Sequence, residues 1–338
     1  MNSLNFTSRR FHIRLCAFAV TGLFLGQLSL SHAQTASLSS WPQRQIKIIV
    51  PFAPGGNTDA IARITAERLS HALEQSVIVE NKAGANGAIA TDFVSKSLPD
   101  GDTLLMAAMP VLAILPAITK TNYEPKKDFI PISIVGSNPF VMAISKSVPV
   151  SNLREFIAYA KANPGKLNYA SGGSGSVSHL SAALFVKRAN LEMTHISYKG
   201  SAPAAVDTMA GFVQIMFDNL PATLENIKAG RLRALAILSR ERSSVLPNVP
   251  TLHESGFPGY DMVSWQCVAA PTGTPKSVID RLYTEIAAVL KTPAIRDKMA
   301  PLSARVVANT PDEFAKYLKD ETAKWSKAVQ DAGIKLEE

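Results

Sequence analysis

Cysteine is almost missing from this chain of 338 residues, which has only Cys16 and Cys267. Cys16 sits in a basic and apolar N-terminal stretch, so Cys267 has no partner in the remainder. A disulfide framework is excluded, and the fold must rest on its core. Charge is sparse too: Asp, Glu, Lys and Arg make up 18% of the residues, and the net excess of +8 is scattered. No element clusters Lys and Arg with aromatics between them, which argues against a nucleic acid partner. The common signatures of chemistry are also lacking. There is no G-x-S-x-G elbow and no H-E-x-x-H, and His71, His179, His195 and His253 are too dispersed to form a local metal motif, so only folding can bring any of them together. Neither G-x-G-x-x-G nor a loop ending in G-K-[ST] occurs, which removes the usual nucleotide sites. No cofactor and no metal are expected.

Long apolar runs are lacking as well. The run from Leu15 to Leu30 falls short of the roughly 20 residues that a membrane span needs. It follows Arg9, Arg10 and Arg14 and leads to Ser31-His32-Ala33. A basic region, an apolar core and a small-x-Ala site make residues 1–33 an export signal, cleaved after Ala33; a retained anchor is the alternative. Cys16 precedes the apolar core, so it cannot be the lipid-bearing cysteine of a lipoprotein. Ser8-Arg9-Arg10 partly matches a twin-arginine signal. Cleavage would lower the formal charge from +8 to +5.

What the sequence does have is alternation. Ile46 to Arg63 reads as a β-branched strand, a turn at Ala53-Pro54-Gly55-Gly56, and an amphipathic helix starting near Asn57-Thr58-Asp59. Paired glycines let several N–H groups point into one space, and a helix start favours an anion there. With Asp59 in the first turn, that anion is better a carboxylate than a phosphate. The plain alternative is a tight turn whose helix is capped by Asp59.

The second half repeats the device. Leu167 to Ala170 leads into Ser171-Gly172-Gly173-Ser174-Gly175-Ser176 and then a helix carrying Val177, Leu180, Ala183 and Leu184. Two such units facing each other would hold an anion from both sides. Strands are expected also at 77–80, 103–107, 132–135, 140–145, 194–198, 213–217 and 234–238, with helices from 151, 203, 274 and 310. Such alternation predicts an α/β fold with mostly parallel sheet. Prolines 110, 116, 125 and 131 predict an irregular stretch over 108–131, and Asn138-Pro139 predicts a break between strands where the chain crosses between domains. Thr310-Pro311-Asp312-Glu313 fits a capping box.

A series of ordered motifs runs through nearly all of the mature chain. They are Trp41-Pro42 with Ile46 to Arg63, Asn81-Lys82-x-Gly84-Ala85-x-Gly87, Pro99-Asp100-Gly101-x-Thr103-Leu104, Tyr198-Lys199-Gly200-x-x-Pro203, Phe217-Asp218, Lys228-Ala229-Gly230, Pro247-x-Val249-Pro250-Thr251 and Ala270-Pro271-x-Gly273-Thr274-Pro275. In these the chain resembles the Bug-type extracytoplasmic solute receptors, the substrate-binding components of tripartite tricarboxylate transporters. The resemblance implies a type II periplasmic-binding-protein fold, with residues 34–136 and 258–338 in one lobe and 137–257 in the other. It also implies a monomeric periplasmic receptor without catalysis, which hands a small carboxylate to the membrane components of such a transporter.

Receptors of this family hold the carboxylate with backbone amides and ordered water more than with arginine. Carried onto this chain, the binding residues are Ala53, Gly55, Gly56, Asn57, Thr58 and Asp59 in the first lobe. In the second they are Ser171, Gly173, Ser174, Gly175, Ser176, Tyr198, Gly200, Ala202, Asp218 and Asn219. Ser174 and Ser176 are read as hydroxyl donors or helix caps, Asp218 as an acceptor or a cap, and His179 and Trp265 as packed or facing the cleft.

Three places depart from the family pattern. Met109-Pro110-Val111 stands where small residues are usual, Phe212 where a polar residue is common, and Gln266-Cys267 in place of an aromatic-glycine pair. If Met109 and Val111 face the cleft, an aromatic or longer-chain carboxylate is expected. Two other outputs stay open from sequence: a receptor that reports occupancy to a sensor kinase, and an exported hydrolase.

Overall fold

The computed structural model describes residues 41–332. From Arg44 onward the chain forms one compact unit; what precedes it belongs to a second, of which only residues 41–43 are described. The export signal expected over residues 1–33 lies outside the described residues.

β-Branched runs bounded by turns become strands, and amphipathic stretches become the helices that cover them. In chain order these are β1 (Ile46–Val50), α1 (Asn57–Leu73), β2 (Val77–Asn81), α2 (Ala88–Ser95), β3 (Thr103–Ala108), β4 (Phe129–Ser145), α3 (Leu153–Ala162), β5 (Leu167–Ser171), α4 (Val177–Arg188), β6 (Met193–Ser197), α5 (Ser201–Ala210), β7 (Ile215–Asn219), α6 (Leu220–Lys228), β8 (Leu232–Ile237), β9 (Val263–Pro271), α7 (Lys276–Leu290), β10 (Arg305–Val306) and α8 (Pro311–Ala332). The stretch expected to be irregular contains a π-turn at Pro110–Ile114 and two four-residue helices.

One strand organises the rest. Over Phe129 to Pro139, β4 pairs antiparallel with β9, and at Gly136 and Ser137 also with β10. From Phe140 to Ser145 it pairs with β7 on one side and β8 on the other. Strands β2, β1 and β3 extend the first group beyond β9, and β5 and β6 extend the second beyond β7. The break expected at Asn138-Pro139 is therefore not a break, because β4 runs through it and only changes partners. A proline is tolerated there because one ladder ends and the next begins, so the missing N–H costs little.

The pairing register fixes where the strand ends point. Ala108, which ends β3, and Gly136 of β4 both stand opposite Gln266. Asn219, which ends β7, stands opposite Phe140, and parallel β5 matches β7 at Tyr169 and Ile215. The carboxyl ends of both strand groups thus converge on residues 136–140 of β4, and their loops open around that crossover.

Candidate functional site

In the first loop, Asp59 acts as a latch. Its Oδ2 accepts from the Gly55 N–H at 2.9 Å and from Arg63 Nε at 3.0 Å, and its Oδ1 accepts from Asn81 Nδ2 at 2.9 Å. Asn81 also donates to the Phe52 carbonyl at 3.0 Å, tying the end of β2 to the same turn. Burial would raise the Asp59 pKa, but the hydrogen bonds from Arg63, Gly55 and Asn81 hold it below the usual carboxylate range. Asp59 orders the turn, and its oxygens are already taken. Residues 53–56 are left exposed, and no side chain caps the start of α1 at Gly56. Asn57 Nδ2 reaches Asn138 Oδ1 at 2.8 Å, connecting this loop to the crossover itself.

The second loop is knit more tightly than its glycines suggest. Gly172 N–H donates to Ser178 Oγ, Gly173 N–H to Ser171 Oγ, Gly175 N–H to His179 Nδ1 and Ser176 N–H to the Gly173 carbonyl. Ser176 caps α4 by accepting from the His179 N–H at 3.2 Å, and its hydroxyl donates to Gly173 O at 2.6 Å. Of the two readings offered for Ser176, the structure shows the cap. Ser174 is exposed, with its hydroxyl 3.2 Å from Ser197 Oγ. Beneath the loop, the His179 and His195 rings stack, which sequence spacing could not reveal.

The third contribution is the start of α5. Gly200 at φ +111 precedes it without a side-chain cap, and Gly200 N–H donates to Gly172 O, which joins the two loops of this half. The Tyr198 hydroxyl is spent on Asp207 Oδ2 at 2.7 Å, and burial together with that carboxylate pushes its pKa up to about 12. Ser201 is half-buried and Ala202 exposed. At the end of β7, Asp218 is buried, and burial raises its carboxyl to about 6. Its Oδ1 accepts from the Asn219 N–H at 2.7 Å. Asn219, not Asp218, stands at the N-cap position of α6.

Met109 and Val111 do not face a cleft. Both have no exposed surface and pack into the main core, Val111 against the backbone turn at Gly87. β3 runs directly into the π-turn, which turns both side chains inward. Neither side chain can therefore give an aromatic or longer-chain ligand an apolar neighbour. Trp265 is likewise core, and its Nε1 donates to Glu321 at 3.2 Å. Phe212 lies 74% exposed, on the surface. A cavity of about 1060 Å³ opens beside the crossover, lined by Ser137, Pro139, Ser239 to Ser244, Trp265 and Ser303 to Asn309; of the site residues singled out from sequence, Trp265 alone is on its wall. Among the described residues, no group of His, Cys, Asp and Glu is arranged to hold a metal ion.

Residues 61–334 match the model of the tripartite tricarboxylate transporter family receptor. The chain is 39% identical over 320 residues to protein BugT of Bordetella pertussis, covering 94% of this chain and 98% of that one. Among solved structures it is similar to a periplasmic transporter at 37% identity and a TM-score of 0.76, covering 88% of this chain and 100% of that one. A second similar structure is Rpa4515 of R. palustris with adipate, at 36% identity and 0.76, covering 87% and 99%. A third is MatC of Rhodopseudomonas palustris with bound malate, at 31% and 0.72, covering 86% and 100%. The fold is that of these periplasmic binding proteins, with two α/β lobes joined through β4. The chain belongs to the tripartite tricarboxylate transporter receptor family.

Proposed function

We propose that this protein captures a small carboxylate in the crevice around residues 136–140 and delivers it to the membrane components of a tripartite tricarboxylate transporter. The observation that carries the reading is the register of β4, which brings the Asn57 loop from one side and the Asp218-Asn219 turn from the other to the same crossover. Within the described residues the lobes are assigned as 44–136 with 258–332, and 137–257. The receptor acts as a periplasmic monomer, released from its signal at Ala33, and binds without altering its cargo.

The donors offered to the anion are main-chain groups. The uncapped starts of α1 and α5 present N–H groups at the positive end of each helix dipole. In loop 171–176 most amides hold the loop itself, so its part is to position the α5 start through Gly172 and Gly200. Hydrogen bonds to a charged group contribute about 1.5–3 kcal/mol each. Micromolar affinity requires about 8 kcal/mol net. Four or five such donors suffice after several kcal/mol are lost to association and desolvation. Binding of that strength permits release, which a receptor requires.

A thermal-shift screen of mono-, di- and hydroxy-carboxylates, followed by calorimetry, tests this. Ligand at 100 times its dissociation constant stabilises by about 2.7 kcal/mol, a shift of several degrees. Failure of every organic acid to shift the transition would refute the proposal.

A further inference from the structure

Buried polar atoms in a folded protein nearly all have partners, so those without one call for a reason. Three of the unpartnered buried side-chain atoms are Asn57 Oδ1, Asp218 Oδ2 and Asn219 Oδ1. All three flank the crossover, one from the first lobe and two from the second. Asn57 contacts Asn138, while Asn219 pairs with Phe140, about 7 Å further along β4.

All three are acceptors. The Asn57 amide orientation is set by its neighbours: Asn138 Nδ2 donates to the Leu302 carbonyl at 2.6 Å, so Asn138 presents its oxygen to Asn57, which must answer with Nδ2. Its Oδ1 is thereby left facing away from that bond. Asp218 is only 5% exposed and sits beside the start of α5. Its Oδ1 is engaged by Asn219, and the Ser201 hydroxyl lies close enough to favour the charged form without hydrogen-bonding Oδ2. A carboxylate ligand supplies only acceptors of its own. It satisfies the helix starts and leaves these three oxygens unanswered, or repels them.

We propose that the cargo is an organic acid that also carries an O–H or N–H donor, and that Asp218 selects for that donor while the helix starts hold the acid group. This rests on the carboxylate reading above and narrows it to hydroxy and amino acids. A site that hydrogen-bonds a ligand hydroxyl rejects the analogue lacking it, because its own buried groups are then left unpaired. Asp218 is accordingly a specificity residue more than an affinity residue. Its raised pKa fits a group kept from solvent until a donor arrives.

Calorimetry at pH 7.5 on matched acids tests this with the mature protein. The sets are malate with succinate, 2-hydroxyglutarate and glutamate with glutarate, and 4-hydroxybenzoate with benzoate. The donor-bearing member of at least one set is expected to bind about tenfold tighter or more. Asp218→Asn, whose amide can turn either a donor or an acceptor to the ligand, is expected to shrink that ratio at least fivefold. A purely structural Asp218 would change both affinities together and leave the ratio intact. Donor-bearing and donor-free acids binding within threefold of each other overturns the inference alone and means that solvent satisfies the three oxygens. Persistence of the ratio in Asp218→Asn overturns it too. No binding by any acid overturns the carboxylate reading with it. If Asp218→Asn does not fold, the wild-type ratios decide.

Discussion

His179 and His195 lie face to face, with ring centroids 3.7 Å apart and planes 6° from parallel, and Tyr169 lies beside the pair, 5.1 Å from His195 and 6.4 Å from His179. Each imidazole also holds the loop above it. His179 Nδ1 accepts from Gly175 N–H at 3.1 Å, and His195 Nε2 lies 2.7 Å from Ser171 Oγ. Burial, and then the neighbouring ring, lower His179 to about 4; burial lowers His195 as well. A histidine whose folded pKa is depressed stabilises the fold above its ordinary value of 6.5, and that stability is lost as pH falls toward 4. In the folded protein Nδ1 stays free to accept from Gly175 until the pH nears 4, and only there does its protonation loosen the loop. The melting temperature is expected to hold above pH 7 and to fall between 6.5 and 4, whereas the ligand affinity of the folded protein should fall only as the pH nears 4. His179→Phe keeps the stack but loses the acceptor. It is expected to weaken ligand binding about 5- to 20-fold at pH 7.5 and to flatten the acid limb of the melting profile. Melting curves of variant and wild type that follow one pH profile would show that the ring pair is not the titrating element.

Asp59 makes a second prediction. Replacing it with Ala strands the Gly55, Arg63 and Asn81 donors together, although Arg63 is half exposed and can turn to water. Asp59→Ala is expected to cost about 2–4 kcal/mol in urea unfolding and at least tenfold in ligand affinity. Because its folded pKa lies below 3.8, the carboxylate's contribution is complete above that value and disappears only as pH falls past it. The cost of Asp59→Ala should therefore be constant from pH 5 to 8. A variant of unchanged stability that still binds would mean that the turn holds itself.

Asp218 has the opposite sign. An acid whose folded pKa is raised, here to about 6, favours folding below its ordinary 3.8, and that advantage is lost as pH rises through 6. At pH 7.5 the buried charge therefore costs stability, on the order of 2–3 kcal/mol. Asp218→Asn, which cannot ionise, is expected to raise the melting temperature at pH 7.5 by several degrees while giving no gain at pH 4. Differential scanning calorimetry at the two pH values reads this directly. Equal shifts at both would remove the case for a destabilising charge.

The local features of the site are legible in the sequence, and the long-range ones are not. Ile46 to Val50 forms the expected strand, the helix begins at Asn57, and Thr310 and Glu313 close the expected capping box at 2.8 and 3.2 Å. Such features depend on neighbours within a few residues, which a sequence displays. The Gly172–Gly175 turn was legible as a turn, but not that its amides would be consumed by Ser171, Ser178 and His179. The inward course of Met109 depends on the π-turn that follows it, and the pairing of His179 with His195 depends on β6 lying beside β5. Neither leaves a periodic trace. Asn138-Pro139 looked like a break because proline removes a ladder donor, and only the exchange of partners along β4 shows why it is tolerated.

Glu321 joins two lines of packing. Its Oε2 accepts from the indole N–H groups of Trp265 at 3.2 Å and Trp325 at 3.1 Å, and Lys324 pairs with its other oxygen. It is 4% exposed, so α8 is pinned through a buried carboxylate to β9, the strand beside the crossover. Glu321→Ala leaves two buried N–H groups unanswered, while Lys324 keeps its bond to the Asp261 carbonyl, and is expected to cost about 3–5 kcal/mol. Trp265 and Trp325 account for two of the three tryptophans, so a red shift in emission should accompany the loss. Glu321→Gln retains an acceptor and should cost less. Native emission in Glu321→Ala would mean that the two rings are held by packing alone.

Two glycines near the first loop separate backbone strain from packing. Gly87 has φ +94, and a Cβ there would lie 2.5 Å from Val111 Cγ1 and 3.1 Å from Pro51 Cβ. Gly55 has φ +85 and nothing within 4 Å of such a Cβ. Alanine at either position bears the cost of a left-handed conformation, roughly 1 kcal/mol. At Gly87 it must also push Val111 or the Pro51 end of β1, adding about 1–3 kcal/mol for overpacking. Gly87→Ala is expected to lower urea stability by about 2–4 kcal/mol and Gly55→Ala by only about 1. If Val111 is cut back as well, in Gly87→Ala/Val111→Ala, the added methyl fills part of the space released. The pair should then be less destabilised than the sum of the two single changes. Strict additivity would mean that Val111 does not press on Gly87, and the packing that keeps Met109 and Val111 out of the crevice would need another cause.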